Sequence, residues 1–386
     1  MGLRIIASVV PLLLALGATA ANAQPLPQAN DWQSAELSLP QAWQLTQGSA
    51  SAVVAIVDTG VQADHPSLAG RVLPGWNLIA GNSDTSDDNG HGTALAGIVA
   101  ATCPGCKILP VKVLGADLTG TWTAVAAGIT WAADHGAQVI NLSLGSPRTL
   151  DSVDAAVAYA LAKGVIVVAA AGNDGRNESF YPAMDPGVVS VAGIDQNGAR
   201  YPWSNFGNWV TVAAPGCTST AWIGGGSTSD FCGTSTAAPF VSGVAGLARS
   251  LQPALTPAQF AGALSSSDPL TDSSTATLGV VDAGRLLAAI APRRTAPVAS
   301  HRPVVTVSPY VGRRVTARAG VWQDAVSYTV RWQRSFDGTH WQLVGAGAAY
   351  TPRRADLAAR LRVIVTASNA TGSATLASAP TTPVRK

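Results

Sequence analysis

Asp58 closes the apolar run "AVVAIVD", His91 lies between two glycines in "NGHGTALAGIVA", and Ser235 follows Gly233 and Thr234 in "GTSTAAPFVSGVAG". A serine hydroxyl becomes a nucleophile at neutral pH when an imidazole takes its proton and a carboxylate orients that imidazole. Asn173, at the end of "VIVVAAAGN", adds an amide able to donate to a developing oxyanion. Each residue also has a plain structural reading. Ser and Thr cap helices, Asp and Asn beside glycine make turns, and a lone histidine is usually structural.

The histidines narrow the choice of base. The chain has five. His301 and His340 fall late, His65 precedes Pro66 in a turn, and His135 beside Gly136 suits a charge at a helix end. His91 differs because glycine on either side lets the backbone come close and turns the imidazole toward a cleft.

Stepping outward from these residues, strands are predicted over 52–58, 107–114, 137–145, 164–173 and 187–194. Helices are predicted over 91–102, 121–136, 149–164 and 233–251, with Pro239 expected in the first turn of the last. Strands apolar on both faces, alternating with helices, indicate an α/β fold with a parallel sheet covered on each side. Sites in such sheets gather at the carboxyl ends of the strands. Residues 291–303, rich in Pro, Ala and Arg, read as a linker, and 304–386 as a small all-β sandwich. There Tyr328, Val330 and Trp332 alternate before a turn at Asp337 and Gly338, and Leu361, Val363, Val365 and Ala367 alternate again. Trp332 is the expected core aromatic.

The start, "MGLRIIASVVPLLLALGATAANAQ", has one basic residue, a short apolar run and an A-x-A close, so 1–23 reads as a signal peptide cleaved after Ala23. The expectation is a secreted protein, free of the membrane after cleavage, with its first domain over 24–290. Export makes the four cysteines disulfide candidates. Of three pairings, Cys103 with Cys106 and Cys217 with Cys232 are favoured because each closes a local loop; irregular spacing argues against a zinc site. Only 12% of the 386 residues are charged and the net charge is +2. The arginines thicken only late, at 293–294, 313–314 and 353–354, which reads as surface solvation, and no nucleic-acid partner is expected.

The blocks "VAIVDTGV", "NGHGTALAGIVA" and "CGTSTAAPFVSGVAG" stand in the order Asp, His, Ser, with "INLSLG" and "AAAGN" between them. In these motifs the sequence resembles the subtilisin-like serine peptidases, or subtilases, especially the thermitase-like and true subtilisin branches, over roughly 31–290. The resemblance implies a doubly wound, mainly parallel sheet with helices on both faces and a monomeric secreted endopeptidase. It implies that Asp58 orients His91, that His91 acts as base and then acid, and that Ser235 attacks the scissile carbonyl. Asn173 and the Ser235 N–H would hold the oxyanion. Leu118, Thr119 and Gly120 would flank one side of a polypeptide bound as an extended strand. Ser143, Leu144 and Gly145 would flank the other side and wall the S1 pocket, while Trp122 would overhang S4. The late region resembles bacterial Ig-like modules, which implies contact with a cell surface or polysaccharide, or a spacer.

Four features depart from the family pattern. Thr236 stands where methionine usually follows the nucleophile. No calcium loop interrupts the helix that begins with His91, and Ser67 replaces the usual aspartate after the "HP" turn. No strong metal site or other cofactor is therefore expected, beyond a weak cation site near Tyr181, Pro182 and Ala183. Residues 24–58 leave no room for an inhibitory propeptide. Phe180 stands where a smaller residue is common at the base of S1, and either shortens that pocket or turns into the core. The competing reading is a catalytically inactive subtilase fold that binds a surface; an esterase would use the same machinery.

Overall fold

The computed structural model describes residues 31–148, 150–268, 270, 272–291, 296–325, 327–369 and 371–386, with the backbone of Ile5 and Ile6. The rest of the expected leader lies outside the described residues. The chain divides into two compact units, 1–291 and 292–386.

The first unit is built on seven parallel strands: β1 (Val53–Asp58), β2 (Trp76–Asn77), β3 (Lys107–Lys112), β4 (Val139–Leu142), β5 (Ile166–Ala170), β6 (Val189–Ile194) and β7 (Val212–Pro215), in the order β2-β3-β1-β4-β5-β6-β7. Their β-branched side chains fit a pleated surface, and period-two alternation deals them to opposite faces. Val54, Ile56, Ile108 and Val168 pack on one face, against helices α1 (His91–Thr102) and α4 (Thr234–Leu251). Ala55, Val57, Val111 and Val167 pack on the other, against α2 (Trp122–Asp134) and α3 (Asp151–Ala162). Each fully buried Val, Ile or Leu contributes ~1.5–3 kcal/mol, so two such clusters hold the sheet rigid beneath its loops. All twelve residues of α1 are buried, which its Ala-, Val- and Ile-rich sequence allows.

Both disulfides form, Cys103–Cys106 and Cys217–Cys232. The first lies just past α1, against two glycines from distant segments. A Cβ at Gly48 would stand 2.4 Å from the Cys103 sulfur, and one at Gly246 2.7 Å from the Cys106 sulfur. The second ties the base of an antiparallel ribbon, β8 (Cys217–Trp222) with β9 (Gly226–Cys232), in which the two cysteines are direct partners.

Pro239 is the sixth residue of α4, past the first turn where the sequence reading put it. Lacking an N–H, it leaves the Ser235 carbonyl without its i+4 donor. The Ser143 hydroxyl fills that role at 3.0 Å.

The second unit is antiparallel. Its main sheet joins β10 (Ser327–Ser335), β11 (Gln342–Ala346), β12 (Arg360–Asn369) and β13 (Gly372–Ala377). Trp332, Leu361, Val363 and Val365 form its core with Val315 and Val384. Tyr328 does not join them and is exposed, because the sheet's cover ends before its position. Val298–His301, within the stretch read as linker, is a short strand paired with Val321–Gln323. Its Pro- and Arg-rich surroundings hid it, since edge strands tolerate both.

Candidate active site

The parallel sheet places Asp58 at the carboxyl end of β1 and sets Asn173 a few residues beyond β5. Ser143 lies one residue past β4. His91 opens α1, whose N-terminus meets the end of β1. Its Nδ1 lies 2.7 Å from Asp58 Oδ1, and both side chains are buried. A carboxylate only accepts, so Nδ1 carries the proton and Nε2 presents its lone pair. Nε2 is buried without a hydrogen-bond partner among the described residues. Burial alone would push the His91 pKa down, but the Asp58 charge and hydrogen bond, with Asp87 adding, hold it above the ordinary imidazole value.

Ser235 is the second residue of α4 and 6% exposed. Its hydroxyl points to the Ser143 carbonyl at 3.3 Å rather than to His91. Its N–H is among the four at a helix start that lack an intrahelical acceptor. Gly233, at φ +143°, supplies no capping side chain. Asn173 caps the helix instead: its Oδ1 accepts from Thr234 N at 2.8 Å and Thr234 Oγ1 at 2.9 Å. That makes Nδ2 the donor end of the amide.

Several residues the sequence reading passed over hold these groups in place. Asp87 accepts from the N–H groups of Asn89, Gly90 and Thr93 and from the hydroxyls of Thr59 and Thr93, at 2.6–3.0 Å. One carboxylate thereby ties the residue after Asp58 to the first turn of α1. Buried Lys112, the register partner of Asp58, adds a second tie, donating to Thr59 O at 2.5 Å and Asp88 Oδ1 at 2.7 Å. Ser242 and Asn141 form a buried chain that reaches the Ser143 hydroxyl through Asn141 Nδ2 at 3.0 Å. The Phe231 ring lies 5.5 Å from the His91 ring, and Thr236 Oγ1 donates to the Phe231 carbonyl at 3.0 Å.

Ser143, Leu144, Gly145, Gly172, Asn173 and Phe180 line a recess beside Ser235 with room for about one water, roughly 10 Å³. Phe180 is 5% exposed and its ring lies against Gly145, where an added Cβ would stand 2.4 Å away. Thr119–Gly120 is a short strand entered from Leu118, whose φ is +62°. The backbone of Ile5 and Ile6 pairs with it antiparallel, so this edge accepts an extended chain. Trp122 is placed differently from the sequence reading. Its ring is 4% exposed and packs in the core with Val125 and Ile129 rather than standing over a groove.

Residues 49–282 match the family model described as the subtilase family, peptidase S8. Thermitase of Thermoactinomyces vulgaris is 46% identical over 222 residues, 55% of this chain and 79% of that protein. Subtilisin BL of Lederbergia lenta is 35% identical over 235 residues, 58% of this chain and 86% of its own. Among solved structures, a cold-adapted subtilisin-like serine proteinase aligns with a TM-score of 0.58 at 32% identity, covering 61% of this chain and 90% of that one. No helix among the described residues is long and apolar enough to cross a membrane.

Proposed function

Because the chain belongs to the subtilase family of serine peptidases, we propose that it is a secreted endopeptidase working through Asp58, His91 and Ser235. The observation that carries this reading is the buried 2.7 Å contact between His91 Nδ1 and Asp58 Oδ1, which leaves Nε2 as a lone-pair base. A turn of the Ser235 side chain away from the Ser143 carbonyl delivers its hydroxyl to that base. Catalytic hydrogen bonds of this kind commonly tighten only with substrate bound. Proton transfer to His91 then accompanies attack on the scissile carbonyl, giving an acyl-enzyme after His91 protonates the leaving amine. Asp58 stabilises the imidazolium. Asn173 Nδ2 and the Ser235 N–H, at the positive end of α4, hold the oxyanion.

Polypeptides lie along Thr119 and Gly120 on one side and Ser143, Leu144 and Gly145 on the other, bound through backbone bonds. Phe180 fills the base of the side-chain recess and favours small P1 residues. The second unit fits an Ig-like module. The enzyme needs no strong metal site, since α1 runs without an inserted loop.

The test is labelling by a fluorophosphonate. The wild-type chain acquires one adduct on Ser235, and Ser235→Ala acquires none. A folded wild-type chain that stays unlabelled would favour the inactive, surface-binding reading.

A further inference from the structure

The net charge of +2 conceals two opposite halves. Residues 1–291 hold ten Lys and Arg against nineteen Asp and Glu, whereas 292–386 hold fourteen against three, and thirteen of those fourteen are Arg. The second unit therefore carries +11 on 95 residues, a charge that opposes its own compaction.

The fold does not spread this charge evenly. Arg313 and Arg314, Arg353 and Arg354, and Arg385 lie far apart in sequence, yet backbone bonds gather their segments at one end of the unit. Gly312 N donates to Pro352 O at 2.9 Å, and Val311 N donates to Arg385 O at 2.8 Å. Arg385 N in turn donates to Pro309 O at 3.1 Å. All five side chains are exposed, and none enters an ion pair among the described residues. The unit's carboxylates are engaged elsewhere. Asp356 is buried and accepts from Arg334, Tyr350 and the Arg353 N–H. Asp337 accepts from Ser335, Thr339 and His340, and Asp324 sits by the opposite edge, next to Asn369.

We infer that this arginine pole is a docking site for an acidic polysaccharide, a glycan bearing regularly spaced carboxylates. Guanidinium forks match carboxylate oxygens two at a time, which a lysine-rich surface would not do. Other polyanions fit less well. A lipid surface calls for apolar side chains beside the cations, and segments 309–314, 352–357 and 384–385 expose no large ones. Single-stranded nucleic acid calls for open aromatic faces. Here the Tyr310 ring lies under Arg313, and Tyr350 stacks on Trp332. An acidic polypeptide would be cut by a peptidase, whereas a glycan survives as an anchor.

The test uses the full chain carrying Ser235→Ala, titrated with polygalacturonate. Binding is expected, weakening roughly 10²-fold between 50 and 200 mM salt, the loss given by release of about five counterions. The double variant R313E/R314E should lose at least tenfold in affinity, and R302E/R318E, an equal charge change outside the pole, much less. Thermal melts of both variants, and peptide turnover of the same substitutions in the Ser235 chain, should match their parents. The proposal is overturned by absence of binding or by equal losses in the two variants. It is likewise overturned by tighter binding to duplex DNA, polyglutamate or anionic phospholipid vesicles.

Discussion

His91 Nδ1 meets Asp58 Oδ1 at 2.7 Å inside a pair of side chains sealed from solvent. Because the Asp58 charge outweighs the burial that opposes it, the imidazole holds its proton to a higher pH than usual. The base must be neutral to work, so kcat/KM should fall as pH drops through a midpoint above the ordinary imidazole value and level off above it. Asp58→Asn should cost about 10⁴ in kcat and remove that raised midpoint. A midpoint at or below the ordinary value would contradict the pairing.

Asp87 acts on the same imidazole twice, by its charge and by holding the first turn of α1. Asp87→Asn should move the acid limb to lower pH and slow turnover by roughly 10², as expected for a base displaced by a fraction of an ångström. A purely structural role would lower activity without moving the limb, so the pH profile is the measurement that decides.

Phe180 leaves room for about one water in the recess beside Ser235. Wild-type enzyme should prefer Ala or Ser at P1. Phe180→Ala should raise kcat/KM for Leu or Phe at P1 about tenfold or more, the scale of a few methylene groups in a pocket. Peptide substrates differing only at P1 provide the comparison, and an unchanged ranking would mean the ring does not set the pocket depth.

Asp185 is buried near Asp154, and burial first, then that neighbouring charge, pushes its pKa up to about 6 from 3.8. The folded state thus holds a proton that the unfolded state releases, and stability falls as pH rises from about 4 to 6. Asp185→Asn should gain about 1 kcal/mol at pH 7, a rise in Tm of about 2–4 °C. The gain should vanish near pH 4. Melting curves at the two pH values test the sign.

Thr236 stands beside the nucleophile where a methionine would be open to sulfoxide formation. Wild-type activity should survive mild peroxide, and Thr236→Met should lose most of its turnover on the same exposure. Activity assays after peroxide treatment, with Ser235 labelling as the control for intact protein, distinguish the two.

Much of this was legible in the sequence because the signals coincide. The buried strands are apolar on both faces, and Asp58 and Asn173 stand out as the first polar residues after such runs. The supporting groups were not legible. Asp87 sits in a polar loop, "DTSDDNG", where every residue looks like a turn former, and only the folded loop shows which carboxylate turns inward. Asn141 and Ser242 are single polar residues in apolar elements, with nothing local to say that they face each other. Trp122 misled because an aromatic at a helix start can turn inward or outward, and the core claimed it. The arginine pole was invisible because its three segments, separated by tens of residues, meet only through backbone bonds.

The Cys103–Cys106 bridge also restricts how this sequence can change. Its sulfurs occupy the space that a side chain at Gly48 or Gly246 would need. Gly246→Ala should therefore be harmful while the bridge is present and tolerable once Cys106 becomes alanine, so the effect of one substitution depends on which came first. A lineage that loses the bridge can go on to fill both glycines, and after that step it cannot readily regain the cysteines.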